Sequence, residues 1–244
     1  MEIGEIVFVV VVVTLAFFVK GVTGLGGPPL VIPVIATFMG VEWAVAVVAI
    51  PGALSNGWLL IENRHSLAGI RPYIAPILAM GAIGVVIGVK ILLSVDDRIM
   101  SIVLGVLMLL YIAWYLLNPA AKLEDRTARW LAWPTGLAGG ILHGTTGIAA
   151  PVIGTYAHSL RLPRSGFVAA ISLPFVVLGT VQMVSLFAFG GYDQERLLSG
   201  LAVCVPVLIV TPYGMRLGRR LSLQTFQYAV LAVLGLAALR LLIG

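Results

Sequence analysis

One short phrase of small residues occurs twice in this chain and limits what the chain can fold into. Residues 21–28, GVTGLGGP, reappear 123 positions later as residues 144–151, GTTGIAAP. Each copy lies inside a hydrophobic stretch and directly follows a basic side chain, Lys20 or His143. Glycine and proline interrupt helical geometry. The two copies therefore predict a helix break at matching positions of two internal repeats.

Composition places both breaks in a membrane. Hydrophobic residues make up 60% of the chain and charged residues 10%, whereas a soluble domain carries roughly 25% charged residues. The formal net charge of +5 comes from basic residues that are spread over short loops, which does not indicate nucleic-acid binding. We therefore expect an all-α polytopic membrane protein, with the lipid bilayer as its surroundings.

Apolar runs divide the chain into ten segments, five in each half. They lie at about 3–22, 28–40, 43–61, 72–93, 98–117, 130–146, 151–160, 164–189, 196–215 and 223–243. Segments 28–40 and 151–160 are too short to cross a bilayer core of about 30 Å at 1.5 Å per residue. Each is predicted to be a half-membrane helix that forms an interrupted pair with the segment before it, beside about three transmembrane helices per repeat.

The most polar stretch of the chain lies between the two halves. We expect a first transmembrane repeat at 1–118, a linker at 119–129 and a second transmembrane repeat at 130–244. The duplication extends beyond the opening phrase, because Pro51 and Pro174 share the same offset. After a three-residue slip, Gly88 also aligns with Gly214.

Basic residues predict how the repeats are oriented. If the chain turns back at each break, the loops collect most basic residues on one face and the rest on the other. The larger set is Arg64, Arg71, Lys122, Arg126, Arg129, Arg161, Arg164, Arg216, Arg219 and Arg220, and the smaller set is Lys90, Arg98, Arg196 and Arg240. Continuous spans would divide the same residues evenly. The positive-inside rule therefore favours inverted repeats, with both termini periplasmic and the linker 118–129 cytoplasmic.

The paired breaks predict an anion-binding site near the middle of the membrane. Pro28 and Pro151 suit the first position of a helix, and the free N–H groups of that first turn would point back at the break. Asn56 and Gln182 follow Pro51 and Pro174 on helices that are expected to reach the same depth. The predicted substrate-binding residues are Lys20, Thr23, Gly24, Gly26, Gly27, Asn56, His143, Thr145, Thr146, Gly147, Ala149 and Gln182.

Simpler interpretations of these residues remain open at this point. Lys20 could extend to the membrane surface, His143 could bond a backbone carbonyl, and the breaks could be notches for helix packing. If they face a cavity instead, Lys20 and His143 would offset the charge of an anion. His143 could also titrate near neutral pH, which makes it the intramembrane candidate for a coupled proton.

No constellation for catalysis or for a cofactor is found. Every Asp and Glu maps to a terminus or a loop, so no carboxylate pair lies within the membrane. Residues 24–27 lack the GxxxxGK[ST] pattern of a nucleotide loop. The single cysteine, Cys204, excludes an internal disulfide or a cysteine cluster for metal. The acidic start, with Glu2 and Glu5, favours a retained membrane segment over a signal peptide.

The duplicated motif resembles the TauE/SafE family of sulfite and sulfonate exporters. The resemblance rests on residues 24–28 and 147–151 together with Pro51 and Pro174. It implies a bacterial inner-membrane permease for small sulfur-containing anions such as sulfite, sulfoacetate or taurine-derived compounds. The second copy departs from the glycine-rich form at Ala149 and Ala150, whose methyl groups would reshape the site.

The combined expectation is a secondary transporter, an exporter that works by alternating access around a midplane anion site and is not an enzyme. A passive anion channel and a non-transporting assembly or scaffold protein are the alternatives. The many small residues would permit a homodimer.

Overall fold

The computed structural model of the chain describes residues 3–23, 27–117, 123–218 and 235–243. These residues form helices and short connections and contain no strand, which confirms the all-α expectation. The helices are α1 (Ile3–Thr23), α2 (Gly27–Met39), α3 (Val41–Asn63), α4 (Leu67–Ser94), α5 (Asp97–Leu117), α6 (Asp125–Thr146), α7 (Thr155–Ser159), α8 (Arg164–Ala188), α9 (Gln194–Ala202) and α10 (Cys204–Gly218). A π-helical turn, Ala150–Gly154, leads into α7, and residues 235–243 are helical as well.

Several helix boundaries differ from the sequence prediction, and α4 begins at Leu67 where residue 72 was expected. Helix α6 begins at Asp125, so its first turn lies in the stretch that was predicted to be linker. Asp125 and Arg129 form an i,i+4 ion pair of 3.0 Å that suits an exposed helical turn. The segment predicted at 196–215 is divided into α9 and α10 at Val203. Most of the segment predicted at 223–243 lies outside the described residues.

Several helices are long and apolar enough to cross a membrane. Among the described residues these are found in Val41–Ser94, Ser165–Ala188 and Gln194–Leu217. The first stretch contains both α3 and α4, which run antiparallel. The N–H of Val41 at the start of α3 donates to Oδ1 of Asp97, just beyond the end of α4, at 2.7 Å. Together with the shorter apolar helices, this is the architecture of a multi-pass membrane protein.

Each break turns the chain back on itself. The rings of Phe8 near the start of α1 and Phe38 near the end of α2 pack edge to face at 5.0 Å, so α1 and α2 form a hairpin. In the second half the hydroxyl of Tyr156 donates to the carbonyl of Ala128 at 2.9 Å. Helix α7 therefore returns along α6.

The two hairpins open towards opposite ends of α3. Helix α3 has 23 residues and is about 35 Å long at 1.5 Å per residue. At its first end Arg196 pairs with Glu42, close to the open end of the α1–α2 hairpin. At its other end the hydroxyl of Ser66 bonds that of Ser165 at 3.0 Å. Ser165 directly follows the short connection that leaves the second hairpin.

Glycines allow helices of the two halves to pack closely at two places. A methyl group built on Gly21 of α1 would lie 3.0 Å from Cα of Gly214 in α10. A methyl group built on Gly144 of α6 would lie 2.9 Å from Cα of Gly88 in α4. Neither position has room for a side chain, so each pair of helix backbones is in direct contact.

Candidate functional site

A pocket lies where the two breaks meet α3 and α8. Its lining comes from both halves of the chain. Of the residues predicted from the sequence, those that line it are Lys20, Asn56, His143, Gly147, Ala149 and Gln182. The structure thus brings together the basic residues that precede the two breaks, although they lie far apart in the sequence.

Lys20 is a buried basic residue at the end of α1. Its side chain is only 2% exposed, so it does not extend to the membrane surface. Its ammonium donates to the hydroxyl of Ser55 at 2.8 Å and lies 5.4 Å from the ring centre of Phe17. Within the described part of the chain no carboxylate forms an ion pair with it. A buried, uncompensated cation favours the binding of an anion.

His143 presents an imidazole with no hydrogen-bond partner. It is 7% exposed, and neither ring nitrogen is bonded to any described residue. One face of the ring stacks on Phe175, with ring centres 5.9 Å apart and planes 12° apart. The side chain therefore does not bond a backbone carbonyl. Buried polar atoms are usually paired, so these nitrogens are candidates for contact with a ligand.

The two amide side chains have different surroundings. Gln182 of α8 donates from Nε2 to the carbonyl of His143 at 2.6 Å, and so holds the end of α6 in place. Asn56 of α3 donates from Nδ2 to the carbonyl of Gly52 at 2.9 Å, while its Oδ1 is buried and has no partner in the described part of the chain. Gln182 is thus a positioning residue, and Asn56 offers a free acceptor.

The threonines do not take the place that the sequence predicted for them. Oγ1 of Thr145 donates to Ile141 at 2.9 Å, and Oγ1 of Thr146 donates to Leu142 at 2.7 Å. Both hydroxyls therefore donate to backbone carbonyls of α6, which is common for a threonine within a helix. Neither residue lines the pocket.

The first break is only partly described. The side chain of Thr23, together with Gly24 and Gly26, lies outside the described residues. Gly27 begins α2 and packs against Lys20: a methyl group built on Gly27 would lie 2.9 Å from Cδ of Lys20. The glycine therefore makes room for the lysine side chain and does not line the pocket itself.

The free N–H groups expected at the second break are largely absent. Val152 and Ile153 donate their N–H groups to the carbonyl of Ala149 at 3.1 and 2.9 Å, and Pro151 has none. These i−3 and i−4 bonds use the N–H groups of Val152 and Ile153 within the turn that restarts the chain. Neither N–H group is therefore free to bind an anion at this helix start.

The break in α6 depends on one glycine. Gly147 ends the helix in the left-handed conformation, with φ of 68°, and its N–H donates to the carbonyl of His143 at 2.8 Å. This is the usual way for a helix to end at glycine. The cap fixes the backbone of His143, and its side chain is left facing the pocket.

Phe175 and Gly179 also belong to the pocket but were not predicted from the sequence. The sequence nevertheless contained a feature that could have identified both residues. The 123-residue offset relates Phe175 to Gly52 and Gly179 to Asn56, and all four line the pocket. Applying the offset to every polar or glycine position near Pro51 would have found them.

Comparison with known families adds the decisive observation. A family profile described as "Sulfite exporter TauE/SafE" matches residues 9–241, a range that includes both breaks and every residue of the pocket. The chain belongs to the TauE/SafE family. The TauE/SafE match and the apolar helices together identify a membrane permease with a transport function. Neither a search of curated proteins nor a search of solved structures finds a match to this chain.

Proposed function

We propose that this chain is a secondary transporter that exports small sulfur-containing anions by alternating access to the pocket between its two breaks. The observation that carries the proposal is Lys20. Its buried ammonium lines that pocket and has no carboxylate partner among the described residues. The substrate anion would supply the missing negative charge, with no catalytic step.

The lining favours an anion with a small organic group. Apart from Lys20, Asn56, His143 and Gln182, the pocket is lined by apolar side chains and by backbone. A sulfite ion would leave most of this apolar surface uncovered. A sulfonate could place its oxygens near Lys20 and its carbon atoms against the apolar wall, which is the usual division of a small-molecule site.

The described contacts support two inverted repeats, the first within 1–118 and the second beginning with α6 at Asp125. Under the repeat alignment, Gly21 corresponds to Gly144 and Gly88 to Gly214. The contact of Gly21 with Gly214 is therefore the counterpart of the contact of Gly144 with Gly88. The opposite openings of the two hairpins agree with this relation. Repeats arranged in this way can rock against each other around a central site.

Basic residues support an orientation in a bacterial inner membrane. Arg196 contacts the start of α3, Arg240 the end of α2, and Lys90 the residue after α8. Arg98 donates to the carbonyl of Leu241, next to Arg240. The larger basic set includes Arg64, directly after α3, and Arg129, near the start of α6. With the larger set in the cytoplasm, both termini are periplasmic and the linker is cytoplasmic.

The two rival functions differ in what they require of the breaks. A scaffold protein would fill them with packing side chains. Instead, the breaks border a pocket that holds a buried lysine and an unbonded histidine. A passive channel would conduct the anion without a site that alternates. Exchange across the membrane distinguishes it, because only a carrier is accelerated by substrate on the opposite side.

The experiment is counterflow of radiolabelled methanesulfonate into proteoliposomes loaded with unlabelled methanesulfonate. We expect uptake that depends on internal substrate and that falls about tenfold or more in Lys20→Met, since the methionine keeps the bulk of the side chain but removes its charge. Lys90→Met, at an exposed cation outside the pocket, should retain activity. Equal activity in both variants would remove the role of Lys20, and uptake independent of internal substrate would indicate a channel.

A further inference from the structure

We propose that His143 binds a proton when a dianion enters the pocket and remains neutral when a monoanion enters. This inference rests on the proposed function and extends it to a second transported species, the proton. A dianion such as sulfoacetate would then cross the membrane together with one proton. The proton comes from water on the loading side and leaves to water when the anion is released.

The count of charges in the pocket explains why a dianion and a monoanion should have different effects on His143. Lys20 is the only Lys, Arg, Asp or Glu among the described residues that line it. One monoanion beside Lys20 makes a neutral pair, whereas a dianion leaves one negative charge in a region of low dielectric. An uncompensated charge there is strongly unfavourable. A proton on His143 removes that charge.

The geometry leaves the imidazole free to take this role. Both ring nitrogens are buried and unbonded, while the backbone carbonyl of the same residue is held by Gln182 and Gly147. The ring is thus fixed in position without using either nitrogen. In the protonated form both nitrogens are donors, and either can donate to an anion oxygen.

Access to the ring edge is kept open by Gly179. Phe175 covers one face of the ring. Nε2 lies 3.9 Å from the point where Gly179 would carry a Cβ atom, and a methyl group there would also touch Ala53. The absence of a side chain at Gly179 therefore leaves space beside Nε2 within the pocket.

The groups that face His143 set when it is protonated. From α1 the ammonium of Lys20 opposes a second positive charge in the empty pocket. Helix α3 presents Ala53 and Asn56, and α8 presents Phe175, Gly179 and Gln182, none of which is charged. Helix α4 packs on α6 through Gly81, Gly84 and Gly88. An arriving dianion is therefore the change that favours protonation.

The proton count is measured by isothermal titration calorimetry at pH 7.5. Methanesulfonate and sulfoacetate are each titrated into purified protein in triethanolamine and in Tris, two cationic buffers with different ionisation enthalpies. Neither ligand itself titrates near this pH. We expect sulfoacetate to take up about one proton more than methanesulfonate, because any proton that Lys20 takes up is common to both ligands.

Two histidine variants complete the test. His143→Gln should abolish the difference in proton uptake between the two sulfonates and weaken sulfoacetate binding about tenfold or more, while methanesulfonate binding changes little. His158→Gln is the matched control, because His158 also packs against a phenylalanine, Phe167, but outside the pocket.

Each outcome of this experiment decides a different claim. Equal proton uptake with both sulfonates, or a difference in uptake that persists in His143→Gln, would overturn the proton site and leave the anion site standing. Failure of both sulfonates to bind folded wild-type protein would overturn the proposed function and this inference with it.

Discussion

At the scale of single residues, the site contains two kinds of polar side chain: those that already form hydrogen bonds within the protein and those with atoms left unbonded. Thr145, Thr146 and Gln182 use their donors within the protein. The two nitrogens of His143 and the Oδ1 atom of Asn56 have no partner among the described residues. A ligand gains most from the groups that are free, because leaving them unpaired costs about 1–3 kcal/mol each.

The break in α6 makes a prediction about Gly147. Its left-handed conformation costs any other residue about 1–2 kcal/mol, and a methyl group there would collide with Cδ1 of Ile32. Gly147→Ala should therefore lower the melting temperature of the purified protein and weaken sulfonate binding.

A nearby glycine provides the control for this substitution. Gly154 has ordinary helical dihedral angles and open space around its missing Cβ atom. Gly154→Ala should leave the protein as stable as wild type or slightly more stable. If Gly147→Ala melts no earlier than Gly154→Ala, the break does not depend on the left-handed cap.

The sequence was sufficient to predict the paired basic residues but not the bonding of every polar side chain. Lys20 and His143 were found because a repeat offset identifies equivalent positions. The threonines could not be excluded in the same way, since a helical hydroxyl can face a ligand or its own backbone. Only the rotamer distinguishes the two, and rotamers depend on neighbours that the sequence does not reveal.

At the scale of elements, contacts between α4 and α6 and between α1 and α10 join the two halves. Both contacts have glycine facing glycine, so the helix backbones touch. In lipid there is little hydrophobic force between helices, and association depends on such close packing. These contacts stabilise the present arrangement of the halves around the pocket.

Gly88 of α4 tests the role of this packing. A methyl group at Gly88 would collide with the carbonyl oxygen of Ile141 and lie 2.9 Å from Cα of Gly144. Gly88→Ala should destabilise the protein by about 1–3 kcal/mol through overpacking, as measured by thermal unfolding in detergent. Gly69→Ala on the same helix meets nothing within 4 Å and should be tolerated. Similar melting of the two variants would contradict close packing of α4 on α6.

Helix positions were largely predictable from the sequence, and helix ends were less so. Apolar length predicted the short α2 and the break before α7. Hydrophobicity did not predict the early start of α6, because the turn at Asp125 is polar and held by its own ion pair. Nor did it reveal the division at Val203, which lies within a continuous apolar run.

At the scale of the whole molecule, the loops gather at the two ends of α3. One end carries the ion pair of Arg196 with Glu42, and the other carries the hydrogen bond between Ser66 and Ser165. Both contacts join one half of the chain to the other. A carrier that alternates must break one set of such contacts as it forms the other.

The proposed orientation is tested by cysteine labelling in a Cys204→Ser background. Gln194→Cys and His65→Cys place single thiols at exposed positions near opposite ends of α3. A membrane-impermeant maleimide should label Gln194→Cys in spheroplasts and His65→Cys only after permeabilisation, because the proposed orientation places the larger basic set in the cytoplasm. The reverse pattern would invert the orientation. Labelling of both positions from one side would contradict the arrangement of the repeats.

The most direct test of the account is the location of a bound sulfonate. Crystals of the protein grown with 2-bromoethanesulfonate would be measured at the bromine absorption edge, where the anomalous signal locates the ligand. We expect a bromine peak inside the pocket between the two breaks, with the sulfonate oxygens next to the ammonium of Lys20. A peak elsewhere, with the pocket empty at a saturating ligand concentration, would contradict a substrate site formed by the paired breaks.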